Sequence, residues 1–244
     1  MKNKNKDERI VAQFDEDVIM RGGYLYTERP SKSSLTSNNR LTTATLKLLN
    51  LKNKKVIDIG CGDGNITDKL YRLGKPKLLV GIDAANKAIS KAKKSYQGDK
   101  KNLIFKTESC YKISSPDKKF DIAIARGLVR HLQKPQKAIK EILRVADEIL
   151  IIEPNGYNPI LKIIEKVSHY HRTHQERSYF STTLSGWIES YGGKVEKEDF
   201  IGVVPFFCPD WLVNILEKIE PVVEKSFLKK VFCGVLFIKA HGKK

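Results

Sequence analysis

Gly60, Gly62 and Gly64 stand at alternate positions directly after the apolar run Val56-Ile57-Asp58-Ile59, and a second acid, Asp83, follows Gly64 by nineteen residues. Three missing β-carbons let a ligand press against the main chain, and glycine tolerates the positive φ that such a turn needs. A helix opening near Asn65 would aim its unpaired amides at whatever the turn holds. Asp83 ends the next apolar run, Leu78-Leu79-Val80-Gly81-Ile82, and an acid there is placed to accept the hydroxyls of a ribose. The spacing is Gly-x-Gly-x-Gly. A dinucleotide fingerprint would need its third glycine at position 65, where Asn65 stands, so a nicotinamide-dependent oxidoreductase is disfavoured.

A second set of reactive side chains lies downstream. Three of the five histidines, His169, His171 and His174, share one short stretch with Arg172 and Arg177. They combine proton acceptors with anion binders and suit a loop that recognises substrate. No carboxylate or cysteine completes a metal-ligand spacing among them, so no metal is expected. His131 is a candidate base, although a single histidine without a partner more often packs against a sheet edge.

The alternating glycine turn with its spaced acid resembles the first two motifs of class I S-adenosylmethionine-dependent methyltransferases. The resemblance covers about Lys55 to Ile152. It implies that the turn (Gly60, Cys61, Gly62 and Gly64) cradles the methionine part of S-adenosyl-L-methionine. Asp58 would face the ligand's ammonium group, and Asp83, with Ala84 beside it, the adenosyl ribose. The family's Gly-Asp-Ala phrase after strand three falls here on Glu108, Ser109 and Cys110. The adenine contact would therefore come from Ser109 or from Glu108. Ala125 to Leu132 occupies the family's junction between cofactor and acceptor, placing Arg126 beside the cofactor and His131 near the acceptor. Neither a Pro-Pro-Tyr motif of adenine-base methylation nor a Pro-Cys nucleophile is present. Tyr24, in the segment before the core, is a further candidate for substrate contact.

These residues need a scaffold. Apolar runs alternate with helical spacings from Lys55 onward, which predicts an α/β, Rossmann-like, seven-stranded, mostly parallel sheet with helices on both faces. Strands are expected at 55–59, 78–82, 103–106, 120–125, 149–153, 195–204 and 233–240. Residues 1–50 are expected to form an N-terminal helical lid, with helices at 7–20 and 41–49 and a loop over 21–39. Residues 51–244 would form the methyltransferase domain. Within it lie a substrate loop (154–180, including a helix over 158–170) and a helical insertion between the last two strands (205–230). Helices are also expected over 65–73, 86–96, 135–146 and 181–191, the last capped by Ser181 or Thr182.

Composition narrows the partners. Forty-five Lys and Arg against 28 Asp and Glu leave a net charge of +17, which suits an anionic substrate, an anionic membrane surface or nucleic acid. The excess is mostly dispersed lysine, and no separate RNA-binding module is evident, so RNA ranks second to a small or lipid-linked acceptor. The 205–230 segment has apolar residues on one helical face, aromatics before it and lysines after it. That pattern fits a buried helix, a lid, or peripheral membrane contact. No apolar run is long enough to span a membrane. A polar amino terminus and four scattered cysteines suggest a cytoplasmic protein with reduced thiols. The expectation is a methyltransferase that modifies oxygen or nitrogen of a small, anionic or lipid-linked metabolite, with RNA methylation as the alternative.

Overall fold

The computed structural model describes residues 6–24, 26–27, 30–167 and 177–242. Seven strands form one sheet in the order β3-β2-β1-β4-β5-β7-β6. They are β1 (Lys55–Ile59), β2 (Leu78–Asp83), β3 (Leu103–Thr107), β4 (Phe120–Arg126), β5 (Ala146–Pro154), β6 (Lys194–Ile201) and β7 (Val235–His241). β1 to β5 run parallel, while β7 lies antiparallel to both of its neighbours. The chain order reverses across β1, between β2 and β4. Open α/β sheets hold their ligands beyond the carboxyl ends of the strands at such a point.

Alternation along β1 divides the core. Ile57 and Ile59 join one apolar cluster and Val56 the other, and all three are fully buried. The first cluster is closed by α5 (Pro135–Val145) and α7 (Ser181–Ser190) through Ile139, Ile142, Leu184 and Ile188. The second is closed by α2 (Lys32–Leu48), α3 (Asn65–Gly74) and α4 (Asn86–Ala92) through Leu41, Leu70 and Ile89. α1 (Lys6–Arg21) packs Val18 on Ala85 and Ala88, above the end of β2. Three further helices stand at the carboxyl side of the sheet: α6 (Pro159–Val167), α8 (Asp210–Lys225) and α9 (Lys229–Phe232).

Several boundaries differ from expectation. α2 starts at Lys32, so much of the expected 21–39 loop is helix. Ser31 caps it by accepting the Ser34 amide at 3.2 Å. Its buried face is polar: Ser34 and Ser37 donate to the carbonyls of Phe206 and Val204, each at 2.8 Å. Apolar periodicity has nothing to register on such a face. β6 ends at Ile201, where Gly202 turns with φ +82° into the insertion. α4 gives way after Ala92 to a wider π turn over Lys93–Gln97. The N-cap of α7 is Phe180 and makes no side-chain bond, so neither Ser181 nor Thr182 caps it.

Candidate active site

Asp83, at the end of β2, sets the first wall of the site. Its Oδ2 accepts the Gly62 amide at 2.9 Å and its Oδ1 the Ala85 amide at 2.8 Å. The acid therefore clamps the glycine turn to the start of α4. Burial raises its pKa, while those amides, which favour the charged form, oppose the rise. Within the turn Gly60, Gly62 and Gly64 have φ of +79°, +54° and +81°. A β-carbon on Gly62 would lie 2.4 Å from Cε2 of Tyr24, whose ring covers the turn. Asp63 holds that cover in place, accepting the Tyr24 amide at 3.1 Å and the Thr27 hydroxyl at 2.5 Å.

The second wall joins β1 to β4. Asp58 is buried at the end of β1 and accepts the Thr67 hydroxyl of α3 at 2.6 Å. Burial lifts its pKa to about 6, against the Thr67 bond and the nearby positive charge of Arg126. Arg126 ends β4 and donates to Oδ1 of Asn38, on α2, at 2.7 Å. Its own pKa is pulled down to about 10 by burial, partly countered by Asp58. Asn38 donates in turn to the Tyr26 carbonyl at 2.8 Å. The polar face of α2 thus closes over the strand ends.

Glu153, near the end of β5, forms the floor. Its Oε1 accepts the Val129 amide at 2.6 Å and so fixes the short turn after β4. Its Oε2 is buried and has no hydrogen-bond partner among the described residues. Burial pushes the pKa up to about 7, opposed by Arg130 and by the amides of the turn. His131 is buried in that turn. Its Nε2 accepts from Nε of Arg130 at 3.0 Å, and its ring meets Phe14 edge-on with centroids 5.1 Å apart.

Asp58, Asp83, Arg126 and Glu153 face one cavity of about 1280 Å³. Gly60, Cys61, Gly62, Ala84, Glu108, Ser109, Cys110, His131, Tyr24 and Arg177 also line it. Gly64 does not: it caps α3, and a β-carbon there would come 2.7 Å from Cβ of Ala92, so its role is packing. Glu108 accepts the Ser114 amide and Ser109 the Tyr111 amide, so both also shape the turn after β3. Burial raises the thiol pKa values of Cys61 and Cys110, the latter to about 12, which leaves both as poor nucleophiles near neutrality. His169, His171, Arg172 and His174 lie outside the described residues. The far wall is mostly apolar, formed by Leu161 and Ile164 of α6, Leu212 and Leu216 of α8, and Phe232 of α9, with Asn158 and Glu165 as its polar members.

Asp63, Asn38 and Glu153 were not singled out by the sequence motifs. Asp63 sits inside the glycine turn and Glu153 ends a strand at the ligand edge, and both positions are signals. Asn38 carries none, because its partner is 88 residues away. Among the described residues, one cluster of metal-capable side chains occurs, Glu148, Glu196 and His241. It lies near the opposite end of β5, and Lys239 already bridges both acids.

The family defined as "Methyltransferase domain" matches residues 50–198, more than half of the chain. The chain belongs to this methyltransferase family. Its class I methyltransferase fold and its glycine turn agree with that membership. A ubiquinone biosynthesis O-methyltransferase of Pelagibacter ubique is 41% identical over 96 residues, which cover 37% of each chain. The chain spans less than half the length of the curated relatives it matches. Among solved structures, the methyltransferase bound to the Trm112 activator of Haloferax volcanii aligns with a TM-score of 0.68 at 16% identity, covering 95% of this chain and 98% of that one. Magnesium protoporphyrin IX methyltransferase from Synechocystis PCC 6803, solved with bound SAM, aligns with a TM-score of 0.66 at 11% identity over the whole of both chains. At such identities these likenesses describe the fold. Among the described residues, no helix is long and apolar enough to cross a membrane.

Proposed function

We propose that this methyltransferase binds S-adenosyl-L-methionine at the glycine turn and methylates oxygen or nitrogen of a small acceptor with a substantial apolar or lipid-linked part. The observation that carries this reading is the cavity's polarity gradient, from Asp58, Asp83 and Arg126 at one end to aliphatic side chains of α6 and α8 at the other. The cofactor end fits the sulfonium ligand: a β-carbon would fill the cradle over Gly62, and the clamped Asp83 carboxylate keeps lone pairs free for ribose hydroxyls. Asp58 offers negative charge to an ammonium group.

When bound, that cofactor supplies an already activated methyl group. The protein's work is then alignment and exclusion of water. Tyr24 closes the turn from above. Glu153 fixes the Val129–His131 turn beneath the junction of the two ends, and His131 is the candidate proton acceptor for a hydroxyl or ammonium acceptor once Arg130 releases its Nε2. Arg177 at the rim, with the 154–180 segment, is suited to an anionic group on the acceptor. The ubiquinone-biosynthesis name of one relative agrees with a lipid-linked acceptor.

Calorimetry with S-adenosylhomocysteine, followed by methyl transfer to hydroxylated and amino aromatic compounds of increasing alkyl chain length, tests the reading. Cofactor binding with transfer that rises with chain length supports it. Absence of cofactor binding sinks it. Transfer confined to RNA, with steeply salt-dependent RNA affinity, would establish instead the alternative suggested by the +17 charge.

A further inference from the structure

α6, α8 and α9 are unlike the other helices. No residue of α6 or α9 is buried, and of the sixteen in α8 only Val213 and Glu220 are. Yet two-thirds of the large apolar side chains exposed among the described residues lie on α6 or within 207–232. On α8 two apolar stripes coexist. Leu212, Leu216 and Val223 face the cavity, while Trp211, Ile215 and Val222 face outward. α6 repeats the arrangement, with Leu161 and Ile164 inward and Ile163 and Val167 outward. Trp211 is 64% exposed, Val222 71% and Phe227 88%. On α8 the two stripes are offset by one residue, about 100° around the helix, so its apolar surface continues from the cavity wall onto the outer side and leaves that side without an apolar neighbour among the described residues.

The charges sort in the same direction. Three of the five acids on these helices turn inward or pair off, while Asp210 and Glu217 stay exposed. Glu220 accepts the Val203 amide at 2.8 Å, Glu224 accepts the Gly202 amide at 2.9 Å, and Glu165 lies 3.6 Å from Lys162. Lys166, Lys218, Lys225 and Lys230 are exposed, have no ion-pair partner among the described residues and outnumber the exposed Asp210 and Glu217. The outward face is therefore apolar and cationic, which is the chemistry of an interfacial helix on anionic lipid. The cavity is continuous with that face: Ile160, Phe207, Ile219 and Phe232 both line it and are exposed outside.

We infer that α6, α8 and α9 dock on an anionic lipid surface, so that the apolar end of the cavity opens into the membrane interface and takes its acceptor from there. This rests on the proposed apolar acceptor only for what passes through the mouth; the docking itself rests on the outward stripes and lysines.

The test is co-sedimentation of the full chain with vesicles of phosphatidylcholine alone or enriched in phosphatidylglycerol, without cofactor or acceptor. Val222→Glu and Phe227→Glu are the variants, since neither side chain lines the cavity. The expected result is binding to the phosphatidylglycerol vesicles that salt weakens, and that each variant weakens roughly tenfold or more while melting temperature and S-adenosylhomocysteine affinity stay unchanged. Three outcomes would overturn the inference: no binding to either vesicle, equal binding to both, or undiminished binding by the variants. So would sedimentation velocity showing a dimer that these substitutions dissociate, since a second copy would then cover the face. Failure at the vesicle leaves the acceptor reading intact, and failure to methylate detergent-solubilised acceptors leaves the docking intact.

Discussion

The ring of Tyr24 rests on Gly62 so closely that a β-carbon on the glycine would sit 2.4 Å from Cε2 of the tyrosine. The contact ties a residue outside the parallel core to the turn that receives the cofactor, and Asp63 secures it from below. Gly62→Ala must therefore displace the tyrosine and also bear a positive φ of 54°. The expected loss is about 2–4 kcal/mol in wild type, falling to about 1–2 kcal/mol in a Tyr24→Ala background, where only the backbone strain remains. Thermal or urea melts of the four proteins of the cycle measure the coupling; additive losses would mean that the ring does not press on the turn.

Asp83→Ala removes the acceptor of two amide bonds together with the ribose contact proposed for it. Affinity for S-adenosylhomocysteine should fall by about tenfold to a hundredfold, in line with charge-assisted hydrogen bonds. Asp83→Asn keeps one acceptor oxygen and should lose less. Calorimetry reads both, and an unchanged dissociation constant in the alanine variant would remove Asp83 from the ribose site.

Glu153 makes stability depend on pH with a definite sign. Its folded pKa of about 7 lies above the unfolded carboxyl's ordinary value of 4.5. Below that ordinary value both states hold the proton and the contribution is fully present. Between the two values the unfolded chain releases its proton first, so stability falls as pH rises, by about 3 kcal/mol across the window. Glu153→Gln cannot titrate. Urea melts of the cofactor-free protein from pH 4.5 to 8 should show the variant gaining on wild type by about that amount, and parallel profiles would contradict the assignment.

Arg40 on α2 lies 3.1 Å from Oε1 of buried Glu220 and also pairs with Glu224, both on α8. Arg40→Ala strands Glu220 without its cation. A loss of about 3 kcal/mol is expected, as for breaking a buried pair by removing one partner. Adding Glu220→Gln should recover part of it. Faster amide exchange in 203–225 but not in β1 or β4 would locate the damage in the insertion; uniform exchange would not.

The legible and illegible parts of this chain divide along physical lines. Glycines of positive φ, an acid at a strand end and the alternating burial of β1 leave local marks, so the cofactor half of the site could be read residue by residue. Of the two N-terminal helices, α1 was legible over 7–20, but the first half of α2 was not. Ser34, Ser37 and Asn38 meet their partners through hydroxyl and amide groups, and those partners lie up to 172 residues away. Polar residues in a polar-looking stretch give no periodic signal. Burial of Glu220 is equally silent, because its compensating groups, the Val203 amide and the Arg40 guanidinium, come together only in the fold.

α2 touches Arg126 at one side of the cavity and, through Arg40 and its serine hydroxyls, carries α8 and the 204–206 strap at the other. Asn38 and Arg40 are two residues apart and so point to nearly opposite sides of one helical turn, which makes α2 a shim between the two walls. A load on α8 is passed across it to the guanidinium beside Asp58, so pressure on the outer face of the molecule and strain at the cofactor end belong to one deformation.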